Sequence, residues 1–299
     1  MSWKPLLLTN CLRNLQYYLV VSKHPGFLRF ACIVGILTGM KKTFYNPNRG
    51  SDWNYGGRKW KLSRSKIDLF LECPRCFYVD NIMGTKRPPF PPFNLNLAVD
   101  ELLKREFDAY RETQTAHPLL TANNLKAVPF QHDKLDTWRD NFEGMITTHT
   151  ATNLVVSGAL DDIWMQADGT LIVVDYKATC KDGSITSLGD SPWDEHYTRQ
   201  LSVYLGLVEQ NGFVVDPVGY LVYANASSSE AEFANKLVFE TNLIPVETNT
   251  GWIEDTLQAI YTTLNSNAIP PVGEGCEHCA YREAAGKKLY ARHIQNKKA

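Results

Sequence analysis

Two hydrophobic periods alternate along this chain. Apolar residues recur at helical spacing in four places. From Ser65 they are Ile67, Phe70, Leu71 and Phe77; between Leu95 and Phe107 they are Leu95, Val99, Leu102, Leu103 and Phe107. A third stripe runs through Trp193, Tyr197, Leu201, Tyr204 and Val208, and a fourth through Ile253, Leu257, Ile260, Tyr261 and Leu264. Each predicts a helix with one buried face. Short β-branched runs from Leu154 to Trp164, Leu171 to Val174, Val218 to Tyr223 and Leu237 to Ile244 predict strands. Asp168-Gly169 supplies the positive-φ positions that turn the first of these back on the second as a hairpin. Thr85 to Pro92 reads as a Pro-rich connector and Lys181 to Asp190 as a polar loop. Residues 110–150 mix Thr, His and Asn with short apolar runs. His117, His132 and His149 there show no ligand spacing and are expected at the surface.

The hairpin ends in Val174-Asp175-Tyr176-Lys177. Side chains on a strand alternate faces. Asp175 and Lys177 therefore project together, while Tyr176 points the other way with Val174 and Ile172. The first arm can bring a second carboxylate alongside, from Asp161 or Asp162. Two close carboxylates repel unless a proton or cation lies between them. A divalent ion with hard oxygen ligands is the natural occupant.

The 299 residues carry a net charge of −1 and are 44% hydrophobic, enough for one large domain or two small ones. Near-neutral charge neither supports nor excludes nucleic-acid binding, which would need local basic patches. Arg58, Lys59, Lys61, Arg64 and Lys66 around Trp60 form one such patch, able to grip phosphates and stack on a base, or simply a solvated arm. No apolar run reaches the ~20 residues that span a bilayer. Residues 1–39 are apolar and unlike the rest, so they read as an N-terminal extension, with translation starting at Met40 and the functional domain covering 40–299. Seven cysteines are not a disulfide framework at this length, but four fall in two Cys-x-x-Cys pairs, Cys73/Cys76 and Cys276/Cys279. That spacing lets two thiolates reach one metal centre, Zn²⁺ or iron–sulfur. A cytoplasmic, reducing compartment is expected on this ground.

Three segments together resemble the PD-(D/E)xK nuclease superfamily, specifically its RecB-like branch: Gly158-Ala159-Leu160-Asp161, then Val174-Asp175-Tyr176-Lys177, then Gln200-Leu201-Ser202-Val203-Tyr204. Ser63-x-Ser65 followed by Phe70 and Cys73-Pro74-Arg75-Cys76-Phe77-Tyr78 is similar to the N-terminal segment of the same branch. The resemblance spans about residues 63–282. It implies an α/β fold with an αβββαβ core, a mixed sheet flanked by helices, and a metal-dependent DNA nuclease acting in repair, recombination or defence. It selects Asp161 over Asp162. Asp161 and Asp175 would bind Mg²⁺ or Mn²⁺, completed by Asp100 and the Tyr176 carbonyl. Asp100 stands where relatives often carry a His; it is otherwise one acid of a solvated helix face. Lys177 would serve the chemistry, and Gln200 and Tyr204 would support the metal site and touch phosphates. Relatives build a 4Fe–4S cluster from one N-terminal and three C-terminal cysteines. This chain departs from that, with Ala285 in one expected cysteine position and Cys76 as an extra N-terminal thiol. Cys73, Cys76, Cys276 and Cys279 would then form one staple joining the domain's ends, holding 4Fe–4S or Zn²⁺. RecB-like domains often work with helicases, for which nothing in these residues argues.

Two other readings fit the residues. One keeps the fold as a catalytically silent nucleic-acid-binding module. The other is a zinc-ribbon interaction protein in which the hairpin is ordinary sheet.

Overall fold

The computed structural model describes residues 46–89 and 93–298. The expectations about residues 1–39 and a start at Met40 lie outside them. In chain order the elements are β1 (Leu62–Ser63), α1 (Arg64–Glu72), α2 (Pro74–Asn81), α3 (Asn94–Thr113), α4 (Pro118–Ala122), β2 (Ala127–Pro129), α5 (Leu135–Arg139), β3 (Met145–Thr148), β4 (Val155–Gly158), β5 (Asp162–Gln166), β6 (Leu171–Thr179), α6 (Pro192–Gln210), β7 (Val218–Ala226), β8 (Phe239–Glu247), α7 (Ile253–Leu264) and α8 (Glu277–Lys298).

A five-stranded sheet runs β2-β5-β6-β7-β8, and a three-stranded sheet runs β1-β4-β3. In the larger sheet β6 and β7 are parallel and the remaining pairs antiparallel. Parallel neighbours need a crossover, and α6 supplies it. Strand β6 is apolar at every position from Leu171 to Val174 because both of its faces are covered. Leu171 and Val173 pack into a cluster with Leu201 and Val208 of α6. Ile172, Val174 and Tyr176 pack into a second cluster with Phe107 of α3 and Trp164. The chain is thus α/β, with mixed sheets flanked by helices.

The arm beginning at Leu154 is not one strand. It breaks after Gly158: β4 pairs within the small sheet, and β5 starts at Asp162 in the large one. A Cβ on Gly158 would lie 2.7 Å from the Tyr204 ring and 2.9 Å from Leu207. The glycine lets α6 lie directly on the strand end, and the chain turns the corner through Ala159–Asp161. The hairpin itself forms with Asp162 opposite Val174, around Gly169 at φ 89°.

Helix α3 buries a narrower stripe than its apolar pattern suggests. Val99 and Phe107 are buried and Leu103 partly so, but Leu95 and Leu102 are 59% and 57% exposed. The buried residues follow spacing of four, the face that meets β6, and the stripe continues into a charged residue, Arg111. Helix α6 starts at a capping box, Ser191 with Asp194, with Pro192 in its first turn. Trp193, in that first turn, is exposed rather than part of the stripe. Residues 110–150 carry α4, β2, α5 and β3. His117 is not a surface residue: it is buried against Phe107 at 4.2 Å, and its Nδ1 accepts the Leu119 N–H to cap α4. His132 and His149 are half-buried, stacked on Trp138 and bonded to Thr152 and Glu254 respectively.

Gly158→Ala is expected to destabilise the fold by about 2 kcal/mol, because the added methyl overpacks a contact with an aromatic ring. Urea unfolding followed by tryptophan fluorescence checks this. An unchanged midpoint would mean that α6 yields without loss.

Candidate active site

Because β6 alternates faces, Asp175 and Lys177 emerge on the α6 side at the strand's end. Asp175 is fully buried. Its Oδ1 accepts from Gln200 Nε2 at 2.8 Å, and the same Nε2 donates to the Tyr204 hydroxyl at 3.1 Å. Its Oδ2 has the Lys177 ammonium pressed against it and no hydrogen bond of ordinary geometry. Asp161 reaches the same corner: its Oδ2 accepts the Tyr176 N–H at 3.0 Å, and its Oδ1 lies 3.1 Å from Lys104 Nζ. Lys104 also meets Asp100 Oδ2 at 2.8 Å, one helical turn away on α3. Asp100, Asp161, Tyr176 and Lys177 line one open pocket of about 520 Å³ between α3 and the end of β6. Gln200 and Tyr204 are buried behind Asp175, so they brace the carboxylate from α6.

The electrostatics follow from this crowding. Burial, helped by Asp161, pushes the Asp175 carboxyl up to about 7 against the pull of Lys177. Burial acts on Asp161 as well, but Lys104, Lys177 and the Tyr176 N–H outweigh it and hold that carboxyl below its usual range. Burial and the neighbouring Asp161 raise Asp100. Lys177 is held firmly protonated, since Asp175 and Asp161 overcome its burial.

The donor set suits a hard divalent cation. Asp161 and Asp175 reach one corner and Asp100 is linked to Asp161 through Lys104, so these hard oxygen donors could hold such an ion, although they do not close around one point as the four cysteine thiols do.

Asp162, the other carboxylate left open by the sequence, faces the opposite side. It is fully buried, gripped by Arg111 and Arg139, and accepts from the Tyr176 hydroxyl at 2.6 Å and Trp164 Nε1 at 3.3 Å. Arg139 Nε also donates to the Asp161 carbonyl at 2.9 Å. This network fixes the chain on both sides of Asp161. Sequence reasoning missed Lys104, Arg111 and Arg139; only the spacing of four between Asp100 and Lys104 signalled the first. Arg64, placed by the sequence in the basic patch around Trp60, instead pairs with Asp68 at 2.6 Å. His196 and Arg199 of α6 converge on the same Asp68.

The sequence profile of the PD-(D/E)XK nuclease superfamily matches residues 61–284, a stretch that contains every residue of this corner. The chain belongs to the PD-(D/E)XK nuclease superfamily. No curated protein matches it. Among solved structures it is similar to one titled "Crystal structure of SSO0001", at 15% identity and a TM-score of 0.27, covering 71% of this chain and 87% of that one. No helix among the described residues of this superfamily member is long and apolar enough to cross a membrane.

The second constellation in this PD-(D/E)XK chain is the cysteine cluster. Cys73 caps α2, Cys76 lies within it, Cys276 precedes α8, and Cys279 lies in its first turn. The four Sγ atoms lie within 4.8 Å of one another, with close pairs at 3.4, 3.6 and 3.7 Å. N–H groups point at the sulfurs: Gly273 N at 3.2 Å and Cys76 N at 3.4 Å to Cys73, Arg87 at 3.5 Å to Cys276, and Arg282 at 3.2 Å to Cys279. Burial alone would raise the Cys73 thiol, yet these backbone donors bring it down to about 6. Burial pushes the Cys76 and Cys279 thiols up, so it is a shared cation that would let all four serve as thiolate ligands. A Cβ at Gly273 would fall 2.0 Å from the Glu72 carbonyl, so only glycine lets the C-terminal segment close on α2.

Two outcomes are expected. The raised Asp175 means that the folded, metal-free protein holds this proton more tightly than the unfolded chain does. Its contribution to stability is present below the ordinary carboxylate range and is lost as pH rises through 7. In chelator, Asp175→Asn should therefore match wild type in melting temperature near pH 4 and exceed it by several degrees at pH 8; equal melting temperatures at pH 8 would contradict the buried carboxylate. Separately, Cys276→Ser should release bound metal and lower the melting temperature by on the order of 5–10 °C, because a loop of most of the domain is no longer closed. Elemental analysis and thermal unfolding measure both.

Proposed function

We propose that this protein is a metal-dependent DNA nuclease of the RecB-like branch, hydrolysing phosphodiester bonds in repair, recombination or defence. The observation that carries this is that Asp161 and Lys177 line one pocket while Lys177 contacts the Asp175 carboxylate buried behind it, which Gln200 braces. Asp161, Asp175 and Asp100, with the Tyr176 carbonyl, would hold Mg²⁺ or Mn²⁺. When bound, the metal lowers the pKa of a water and offsets charge on the scissile phosphate. The chain's own residues do the rest. Lys177, held protonated beside Asp175, donates toward the attacking water and the phosphate oxygens as negative charge builds. Gln200 fixes the Asp175 carboxylate through Oδ1, leaving Oδ2 to Lys177. Arg139, through the Asp161 carbonyl, holds that residue's backbone in place. Lys104 bridges Asp100 and Asp161 and would give way as the cation enters.

A catalytically silent module of this fold is disfavoured because Asp161, Asp175 and Lys177 are all intact. The zinc-ribbon reading is disfavoured because the four thiols sit between helices α2 and α8, at the two ends of the matched domain. For the thiolate centre we favour a single tetrahedral ion such as Zn²⁺. Four sulfurs about 2.3 Å from one ion lie about 3.8 Å apart, close to the observed pairs. A 4Fe–4S cube ties each thiolate to a different iron and would hold them farther apart.

Incubation with linear, circular and single-stranded DNA in Mg²⁺, Mn²⁺ or chelator tests the function. Wild type should cleave only with metal. Asp175→Asn should lose cleavage while staying folded, and Lys177→Ala should fall about 100-fold or more in kcat with metal affinity largely kept. Wild-type rates in either variant would remove that residue from the chemistry.

A further inference from the structure

A second hollow of about 410 Å³ opens beside the catalytic pocket, lined by Arg49, Lys59, Lys61 and Lys66 together with Trp53 and Phe142. No carboxylate is among its described lining residues. The two hollows are joined. A small intervening hollow shares Ser63, Asn141 and Ser157 with the basic one, and Asn141 and Ala159 with the catalytic one. Gly158 and Tyr204, which hold the catalytic corner, line the intervening stretch.

This hollow differs from the basic-aromatic patch expected around Trp60. Arg58 is spent on Asp52 and Arg64 on Asp68. The Trp60 ring is half-buried, with Lys66 Nζ over it at 4.8 Å and Tyr55 against it at 5.0 Å, so it has no open face to offer a base. The exposed rings are Trp53 and Phe142, 39% and 74% accessible, edge to face with centroids 6.4 Å apart. Lys61 holds the Phe142 loop by donating to the carbonyls of Phe142 and Glu143, both at 2.8 Å. Lys59 is exposed and rides over the Trp53 ring at 5.3 Å. Arg49 pairs with Asp80 at 2.6 Å, so the lysines carry the charge that lines the hollow. Burial, followed by Arg49 and Lys61, lowers Lys66 to about 7, although Asp80 pulls the other way.

We propose that this hollow binds the backbone of a single-stranded DNA segment flanking the scissile phosphate, with a phosphate among the lysines and a base stacked on Trp53 or Phe142. The inference rests on the nuclease reading for the catalytic pocket and extends it to substrate class. Exposed rings favour a single strand, because only an unpaired base has a face free to stack. A duplex would offer the lysines its phosphates and leave the rings idle.

The test uses full-length protein with a fluorescent 20-nucleotide single strand and the matching blunt duplex, read by anisotropy over a salt series with Ca²⁺ in place of Mg²⁺, alongside wild-type cleavage in Mg²⁺ or Mn²⁺. Trp53→Ala should weaken single-strand binding about tenfold and duplex binding far less. Lys59→Glu should weaken it similarly and make the slope of log K against log salt shallower by about one or more. Both residues are exposed, and matching melting temperatures would show that the fold is intact. If both variants bind the single strand with wild-type affinity and slope while wild type cleaves DNA, this inference fails and the nuclease reading stands. If wild type cleaves nothing but the variants lose single-strand binding, the hollow is upheld and the catalytic reading fails. Equal losses on duplex and single strand would overturn the single-strand assignment.

Discussion

An acid buried at the end of a doubly covered strand is the constraint around which this molecule is arranged. Burying a carboxylate without compensation is expensive. Asp175 is fully buried because β6 must be covered on both faces for its apolar run to form a core. Everything near it answers that cost. Lys177 supplies charge from the same strand face, Gln200 supplies a hydrogen bond from α6, and Gly158 lets α6 come close enough to do so. The three sequence segments that mark the superfamily are therefore one physical unit: a strand end, the helix that braces it, and the glycine that admits the helix.

The other face of the same strand carries a complementary network. Asp162, one residue from Asp161, is locked by two arginines and the Tyr176 hydroxyl. Adjacent residues at the entry to β5 thus have opposite tasks, Asp161 lining the pocket and Asp162 anchoring the backbone from behind. In the pocket Lys104 and Lys177 stand beside Asp100, Asp161 and Asp175, while the anchor pairs its charges in a closed set. That contrast fits the cation binding proposed for the pocket, with mechanical support behind it.

The cysteine centre works at longer range. Cys73 and Cys76 begin α2, and Cys276 and Cys279 begin α8, so a metal between them would join segments about two hundred residues apart. Helices α1 and α2 pack on α7 and α6, and α1 carries Asp68, which gathers Arg64 and Arg199 beside the catalytic corner. Helix α1 packs on α2, so a metal at the cysteines would tie α8 to the helix next to the one that carries Asp68.

Much was legible in the residues alone, because strand and helix periods are local properties. The hairpin with Asp175 and Lys177 on one face, the α6 stripe with Gln200 and Tyr204 one turn apart, and the two cysteine pairs all depend on spacing along the chain. Tertiary structure decided what spacing cannot express. The strand from Leu154 breaks at Gly158 because a helix approaches there, a contact forty-six residues away in sequence, from Gly158 to Tyr204. Leu95 and Leu102 are exposed because α3 meets the sheet along a single narrow line. His117 is buried because Phe107 happens to lie under it. Lys104, Arg111 and Arg139 enter the site from elements whose positions no local pattern specifies. The open rings of the basic hollow are Trp53 and Phe142 rather than Trp60 because Lys66 and Tyr55 cover the Trp60 ring. Local period sets which residues can share a face; which faces meet is settled only when the chain is packed.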